Sequence, residues 1–401
     1  AETGAVPAPA ETGAVPAPAE TGAVPAPAET GAVPAPAETG AVPAPAETGA
    51  VPAPAETGAV PAPTLSLELF PPRPGRHVTQ TWGALDRLLA SGPDFVSVTY
   101  RPSFVIGGTG SGAAGTAPPV RVRREHNPAE DVVAHVLSRS DVPLMAHLTC
   151  IGYRRDSVVE VVRRFLDLGV RRFLALRGDP PRGYAAEDVA GELPHADDLV
   201  RVIREVESDY FDDGARHIQI AVAAYPADID HGIGVEVLGA KQAAGADLAI
   251  TQVFYDPEDY LALRRAALYS GVTMPILPGI IPLTDLRRLT RLEALTGVCV
   301  PPDLVRTLER SDGAAAAAAG IDATLNLASA VLDGGAPGVH LYTFNRVRPA
   351  LDVISHLRLG GILAGSTPDT AVQREVRRDY LNATPGGDRG PSGRMPGAAR
   401  S

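Results

Sequence analysis

The sequence L-E-L-F-P-P-R, residues 67–73, predicts the end of a buried strand with a carboxylate in it. Residues 65–69 predict a short strand, which stops at Pro71 and Pro72 because proline has no N–H to donate to a sheet. Glu68 then lies among apolar residues near the C-terminal end of that strand. Burial disfavours the charged form of a carboxyl group and raises its pKa, which suits a proton donor. A buried carboxylate held in an ion pair is the alternative interpretation.

Further apolar, β-branched runs follow this strand, and a helical pattern comes after each of them. Strands are predicted at residues 65–69, 95–100, 144–149, 173–176, 218–223, 248–252, 276–280 and 339–343. Several show little alternation of apolar and polar residues, as expected of parallel strands that are buried on both faces. Helices are predicted at residues 79–89, 128–137, 157–168, 197–207, 235–244, 257–269, 284–295, 314–332 and 351–357.

This alternation of strands and helices between residues 64 and 360 predicts an α/β protein, a (βα)8 TIM barrel. An open, doubly wound sheet is the alternative. The first βα turn, P-P-R-P-G, lacks the G-x-G-x-x-G phosphate turn of a dinucleotide-binding sheet and therefore favours the barrel. Residues 107–112, G-G-T-G-S-G, include no lysine and no clear helix follows them, so we interpret them as a flexible loop or a lid.

Low-complexity sequence lies on both sides of the predicted barrel. Residues 1–63 repeat the unit A-E-T-G-A-V-P-A-P seven times, with too few large apolar residues to offset the entropy of ordering. We predict a disordered spacer, with an interaction or tethering module as the alternative. Its origin as natural low complexity, an engineered extension or a mispredicted start stays open. Residues 361–401 form a C-terminal extension that we predict to be a largely disordered tail.

Composition argues against several classes of function. The seven repeat glutamates contribute −7 to the net charge of −11, and the remaining −4 gives no support for nucleic-acid binding. No run approaches the roughly 18 apolar residues of a membrane span. Cys150 and Cys299 lie far apart in sequence, which favours a reducing cytoplasm. The histidines and carboxylates show no spacing typical of a metal site, and we predict none.

Polar residues follow most of the predicted strands at their C-terminal ends, which form the active face of a TIM barrel. One such residue is usually a satisfied hydrogen bond, but a set drawn from seven strands predicts a shared pocket. The only lysine, Lys241, lies on a predicted helix, which argues against a Schiff-base aldolase. The set comprises Glu68, Thr99, Tyr100, His147, Thr149, Arg177, Gly178, Asp179, Tyr225, Thr251, Gln252, Asn345 and Arg346.

Residues 65–357 resemble the methylenetetrahydrofolate reductase family. Eight motifs occur in the family's order: L-E-L-F-P-P-R, F-V-S-V-T-Y, A-H-L-T-C, A-L-R-G-D-P-P, V-A-A-Y-P, A-G-A-D-L-A-I-T-Q-V-F-Y-D, P-I-L-P-G-I-I-P and H-L-Y-T-F-N-R. The resemblance implies a barrel that carries FAD at the strand C-termini. It also implies reduction of 5,10-methylenetetrahydrofolate to 5-methyltetrahydrofolate with NAD(P)H, for methionine synthesis. Family members are often homo-oligomers, and no surface in this sequence identifies an interface.

The resemblance also implies roles for individual residues. Glu68 corresponds to the general acid that protonates N10 of the folate, and Asp179 to a carboxylate beside the pterin and the flavin. Gln252 corresponds to a folate contact, and Arg346 to the arginine near the glutamate tail of the folate, where a guanidinium suits a carboxylate. Flavin-contacting positions correspond to Thr99, His147, Arg177, Gly178, Asp179, Ala223, Tyr225 and Lys241.

The segment after Tyr225 departs from the family's pattern. The family usually has a histidine within a few residues, and then Asp and Asn on the next helix. Here residues 227–234 are A-D-I-D-H-G-I-G, and Val237 stands where Asn is usual. The resemblance therefore leaves contacts to the ribose and phosphates of the flavin unassigned. A flavin-independent reductase and a folate- or flavin-binding barrel without catalysis stay open as alternatives, as does the choice between NADH and NADPH.

Overall fold

A computed structural model describes residues 63–72, 78–100, 103–106, 120–123, 127–181, 184–185, 189, 191–228, 230–310 and 313–363. The predictions of a disordered repeat segment, a loop or lid at residues 107–112 and a loose C-terminal tail lie outside these ranges, except that residues 361–363 are described. All of the predicted site residues lie within them.

The described strands form one sheet of nine parallel strands and one antiparallel hairpin. In chain order they are β1 (Thr64–Leu69), β2 (Phe95–Val98), β3 (Ser103–Ile106), β4 (Val120–Arg123), β5 (Leu144–Thr149), β6 (Arg172–Leu176), β7 (Gln219–Ala224), β8 (Leu248–Thr251), β9 (Ile276–Leu277), β10 (Gly279–Ile280) and β11 (Gly338–Tyr342). The order in the large sheet is β10-β11-β1-β2-β5-β6-β7-β8-β9.

Helices follow the barrel strands in chain order. They are α1 (Val78–Leu89), α2 (Pro128–Arg139), α3 (Arg155–Asp167), α4 (Ala196–Tyr210), α5 (His231–Ala244), α6 (Pro257–Tyr269), α7 (Leu286–Thr296), α8 (Pro302–Arg310), α9 (Gly313–Asp333) and α10 (Val347–Leu359). The alternation of parallel strands with helices confirms the predicted (βα)8 TIM barrel.

The barrel closes through one short segment, residues 276–280. Its first half, β9, pairs with β8, and its second half, β10, pairs with β11. Pro278 lies between the halves and has no N–H to donate, while its carbonyl oxygen accepts a hydrogen bond from the His340 N–H at 2.9 Å. The single strand predicted here is therefore two strands, and together they join the two edges of the sheet.

Two elements have no counterpart in the predicted series. No strand is predicted between residues 102 and 127, whereas β3 and β4 pair antiparallel there. Helix α8 begins at Pro302, a residue suited to the first turn of a helix, and buries only Leu308. One helix per strand satisfies the eightfold pattern, so that pattern gives no signal for an additional helix of nine residues.

The expectation that no run is apolar enough for a membrane span is wrong for helix α9, which is long and apolar enough to cross a membrane by length and composition alone. Its residues Leu327, Ala328 and Val331 are buried in the main hydrophobic core, and the helix contacts α6, α8 and α10. In this structure α9 is thus part of the outer helical layer of the barrel, where each buried leucine contributes about 2 kcal/mol to stability.

Candidate active site

The alternation of residues along the strands brings polar side chains together inside the C-terminal end of the barrel. The three leucines of β1 pack with the surrounding helices, which leaves Ser66 and Glu68 on the inner face. Glu68 is only 6% exposed. Its Oε1 accepts a hydrogen bond from Thr99 Oγ1 at 2.8 Å and lies 3.8 Å from His147 Nδ1. Three predicted site residues from three neighbouring strands are therefore in contact or nearly so.

His147 is buried and stays neutral beside this carboxyl group. Burial lowers the pKa of His147 to about 3, because the charged imidazolium loses its hydration. Its Nε2 atom and the Thr149 hydroxyl are buried with no hydrogen-bond partner among the described residues. An unpaired buried polar atom costs about 1–3 kcal/mol, so these two atoms on one face of β5 suit a ligand with polar ring atoms.

Two other side chains near Glu68, those of His340 and Tyr342, are also uncharged. His340 Nδ1 lies 2.8 Å from Ser66 Oγ, and burial, reinforced by nearby His147, lowers the pKa of His340 to about 3. The Tyr342 hydroxyl donates to the Thr251 carbonyl oxygen at 2.6 Å. Burial, and then the Glu68 carboxylate, raise the pKa of Tyr342 well above its ordinary value. Neither side chain therefore carries a charge near pH 7.

These two histidines predict a stability that depends on pH. Both have a folded pKa near 3, whereas an unfolded histidine titrates near 6.5, so only the unfolded chain binds the proton between these values. Their contribution is complete above about pH 6.5 and is lost as the pH falls. The free energy of unfolding should drop by about 1.4 kcal/mol per pH unit for each histidine.

Chemical unfolding at several pH values between 5 and 7 checks this expectation. His340→Gln should show a shallower decline than the wild type, because one of the two buried groups is gone. His356→Gln, at an exposed position of α10, is the matched control and should follow the wild type. An equal decline in wild type and His340→Gln would contradict the role assigned to the buried imidazole.

The turn after β6 contains a glycine, Gly178, whose backbone is not covered by a side chain, at the same end of the barrel. Gly178 has a φ of +87°, and a Cβ atom there would lie 2.9 Å from Ile151 Cγ2 and from Thr149 Cβ. Only glycine fits this conformation and this space. Its neighbours Arg177 and Asp179 are exposed. Burial and then Asp179 raise the pKa of Tyr225, which follows β7 at the mouth and is partly exposed.

The two predicted folate contacts, Gln252 and Arg346, pair with residues outside the Glu68 group. Gln252 follows β8, and its Oε1 accepts from the Val253 N–H at 2.9 Å. Arg346 precedes α10 and is half exposed, and its Nη1 lies 3.9 Å from Asp285 Oδ2. Arg288 Nη2 lies 4.0 Å from the same oxygen. One carboxylate thus faces two guanidinium groups, which leaves positive charge at this rim.

A family profile described as methylenetetrahydrofolate reductase matches residues 57–358. That range contains the whole described barrel up to the last turn of α10 and all of the residues placed above. The chain belongs to the methylenetetrahydrofolate reductase family. The resemblance drawn from the eight sequence motifs is thereby confirmed, while the roles of the individual residues stay predictions.

Relatives in the methylenetetrahydrofolate reductase family include bacterial and animal proteins. The 5,10-methylenetetrahydrofolate reductase of Salmonella typhimurium is 31% identical over 288 residues, which cover 70% of this chain and 86% of the relative. A probable NADPH-type methylenetetrahydrofolate reductase of Caenorhabditis elegans is 30% identical over 73% of this chain and 42% of its own. A solved structure of oxaloacetate acetylhydrolase superposes with a TM-score of 0.40 at 14% identity, over 80% of this chain and 90% of its own.

Lys241 lies where the resemblance to the methylenetetrahydrofolate reductase family implies a flavin contact. It is only 7% exposed, and its Nζ donates to the Ala223 carbonyl oxygen at 2.8 Å. Burial lowers the pKa of Lys241 to about 8. At the other end of α5, the Asp230 carboxylate accepts from the N–H groups of Gly232 and Ile233. The helix N-terminus thus carries its own anionic cap, in the segment that departs from the family pattern.

Sequence reasoning alone does not single out Thr343 in this methylenetetrahydrofolate reductase barrel. Its Oγ1 donates to the Glu68 carbonyl oxygen at 2.6 Å, and Thr343 is only 2% exposed. The motif T-F-N-R after the last strand is the signal that could have pointed to it. In the part of the chain that the structure describes, no group of three His, Cys, Asp or Glu side chains could hold a metal ion.

Proposed function

We propose that this chain reduces 5,10-methylenetetrahydrofolate to 5-methyltetrahydrofolate with NADH or NADPH. Family membership supports the proposal, and the observation that carries it is Glu68, a buried acid at a barrel strand end in contact with Thr99. In the reaction a proton reaches N10 while the bond from N10 to the methylene carbon breaks. A hydride from the nicotinamide then reduces the resulting iminium carbon to a methyl group. The balance is one NAD(P)H and one proton for each folate.

The residues around Glu68 suit the delivery of that proton. The Thr99 hydroxyl holds one carboxyl oxygen, which fixes the plane of the acid. The His147 imidazole beside it is neutral, because burial lowers the pKa of His147 to about 3. Apolar residues below the site, including Phe95, Met145 and Leu248, fill the interior of the barrel and keep bulk water away from it. The acid is thus oriented and desolvated before substrate arrives.

We propose FAD as the cofactor, and three features of the chain fit a flavin. The unpaired Nε2 of His147 and hydroxyl of Thr149 offer buried polar contacts, and Gly178 offers backbone without a side chain. When bound, FAD would accept the hydride from the nicotinamide and pass it to the folate. The residues proposed to hold it are Thr99, His147, Arg177, Gly178, Asp179, Ala223, Tyr225 and Lys241.

Purified protein tests both proposals. Its absorbance spectrum, before and after addition of FAD, shows whether a flavin binds. Each nicotinamide donor is then supplied without oxygen, methylenetetrahydrofolate is added, and the folate product is separated by chromatography. One 5-methyltetrahydrofolate per NAD(P)H supports the function. A bound flavin without product from either donor favours the binding-only alternative, and product without flavin overturns the cofactor proposal alone.

We further propose that the product supplies methyl groups for methionine synthesis in the cytoplasm. Cys150 and Cys299 are free thiols, which suits a reducing compartment. Expression of this chain should restore growth without methionine to a bacterial strain that lacks its own reductase. Continued dependence on methionine, despite soluble active protein, would contradict this assignment.

Arg346→Gln is expected to raise KM for methylenetetrahydrofolate about 10-fold with little change in kcat, since one charge-assisted hydrogen bond to a carboxylate contributes about 1.5 kcal/mol. The reason is that Arg346 is half exposed beside Asp285 and is proposed to bind the glutamate tail of the folate. Arg348→Gln is the control, because Arg348 lies two residues further along the chain and pairs with Asp352. Steady-state kinetics checks both variants. An unchanged KM in Arg346→Gln would contradict the proposed contact between Arg346 and the glutamate tail of the folate.

A further inference from the structure

The turn that leaves β11 is hydrogen-bonded to the backbone of Glu68 and of Phe70. Thr343 Oγ1 donates to the Glu68 carbonyl oxygen at 2.6 Å. The Asn345 side chain makes two bonds to Phe70, accepting from its N–H at 2.9 Å and donating to its carbonyl oxygen at 2.7 Å. The Thr343 hydroxyl also accepts from the Asn345 N–H at 3.1 Å. These contacts link residues 68–70 and 343–345, which are distant in sequence, into one unit that we term the acid clamp.

This turn has an unusual backbone. Phe344 has a φ of +49° and Asn345 a φ of +57°, a region that asparagine tolerates and phenylalanine rarely adopts. The Phe344 ring stacks on Phe70 with centroids 5.1 Å apart, and the Arg288 guanidinium carbon lies over the Phe344 ring, 5.0 Å from its centroid. A costly conformation persists only where its surroundings hold it, and such conformations concentrate at functional sites.

Sheet pairing alone does not hold the backbone beyond the acid. The register of β1 with β11 ends at Glu68 opposite Tyr342, and Pro71 and Pro72 prevent its continuation. On the other side, the Thr99 N–H donates to the Leu69 carbonyl oxygen at 3.1 Å. The Asn345 side-chain amide therefore replaces a further residue of β11 as the partner of β1, and it hydrogen-bonds to both the N–H and the carbonyl oxygen of Phe70.

We propose that Asn345 is a positioning residue that aligns Glu68 for proton transfer, and this rests on the proposed reductase function. Asn345 acts on the backbone two residues after the acid and not on the carboxyl group itself. Proton transfer requires close alignment of donor and acceptor, and a misplacement of about 1 Å can lower a rate about 10²-fold. Loss of the clamp should therefore slow the folate step and leave the oxidation of NAD(P)H unaffected.

Asn345→Gly tests the proposal directly. Glycine adopts the same positive φ without strain, so the change removes both side-chain bonds and retains the turn. Below the melting temperature, we expect kcat for methylenetetrahydrofolate to fall about 10- to 100-fold with KM little changed. NAD(P)H oxidation by an artificial quinone acceptor should stay within about twofold of the wild type, since it needs no proton from Glu68.

Two further variants and one measurement separate positioning from simple loss of stability. Asn326→Gly, at an exposed site on α9, is the control for an Asn-to-Gly change and should keep both activities. Asn345→Asp keeps the size of the side chain and the oxygen that accepts from the Phe70 N–H, but it replaces the donating NH2 group with an oxygen that faces the Phe70 carbonyl oxygen. Its folate and quinone rates should therefore resemble those of Asn345→Gly. Faster amide hydrogen exchange at Phe70 in the ligand-free protein should accompany Asn345→Gly, because that variant has no side-chain oxygen to accept from the Phe70 N–H.

The outcomes are distinct. An unchanged folate rate in Asn345→Gly and Asn345→Asp would overturn the proposal, as would equal losses in the folate and quinone reactions. If the wild type itself makes no 5-methyltetrahydrofolate, the proposed function fails. In that case hydrogen exchange at Phe70 still decides whether Asn345 holds this backbone, and unchanged exchange would overturn the clamp.

Discussion

Glu68→Gln is expected to lower the rate of methylenetetrahydrofolate reduction by about 10²- to 10⁴-fold, the usual contribution of a general acid. Glutamine has nearly the same shape, and its oxygen can still accept the hydrogen bond from Thr99 Oγ1. It has no acidic proton, so the bond to N10 must break without protonation. Binding of the folate should change little, because the effect belongs to the transition state.

The same variant should keep its NAD(P)H-dependent reduction of an artificial quinone, which separates proton delivery from hydride chemistry. Rapid-mixing measurements of the two reactions, made separately, give the comparison. Glu309→Gln, an exposed change on α8, is the matched control. Normal folate turnover in Glu68→Gln would show that another group supplies the proton. A parallel loss of both reactions would instead place Glu68 in cofactor binding or in the fold.

Gly279→Ala is expected to lower the free energy of unfolding by more than about 3 kcal/mol, the upper range for forcing extra volume into a packed interior. A Cβ atom at this position would lie 2.3 Å from the Thr251 carbonyl oxygen and 2.5 Å from Tyr342 Cε2. The Gly279 N–H also donates to Thr251 Oγ1 at 2.8 Å. The substitution therefore disrupts the segment through which the barrel closes. The loss is large because the total free energy of unfolding of a native domain is only about 5–15 kcal/mol.

Urea unfolding followed by circular dichroism measures this effect. Gly83→Ala is the matched control, because Gly83 lies within α1 and a Cβ atom there would meet nothing within 4 Å. That control should gain about 0.5–1 kcal/mol, as alanine favours a helix over glycine. A Gly279→Ala protein as stable as the wild type would mean that the closure around Pro278 is looser than the structure indicates.

The sequence predicted most of the barrel because strand and helix patterns are local. Buried parallel strands are short apolar runs, and the helices that cover them show an amphipathic period, so each can be recognised without its neighbours. The break at Pro278 was not predicted, although the proline was visible. Whether a proline interrupts a strand or lies at its edge depends on the partner strands, and here the partners differ on its two sides.

The candidate site was predicted in part for the same reason. Glu68, Thr99 and His147 occupy inward positions of neighbouring strands, and an even spacing within each strand is enough to place them on one face. Arg346 could not be separated from this group by sequence, since a turn decides where it points. In the structure it lies beside Asp285 at the rim.

By itself the sequence determined the alternation and order of the barrel strands and helices, the presence of an acid at the end of the first strand, and the family. Those properties reside in the residue types and their spacing. Only the tertiary structure decided that Asn345 and Thr343 hold the backbone of Phe70 and Glu68, and that His147 and His340 are buried and uncharged. The hydrogen bonds join residues that are 275 positions apart in sequence, and the two imidazoles lose their hydration only when they are buried. Both effects depend on which residues become neighbours when the barrel closes.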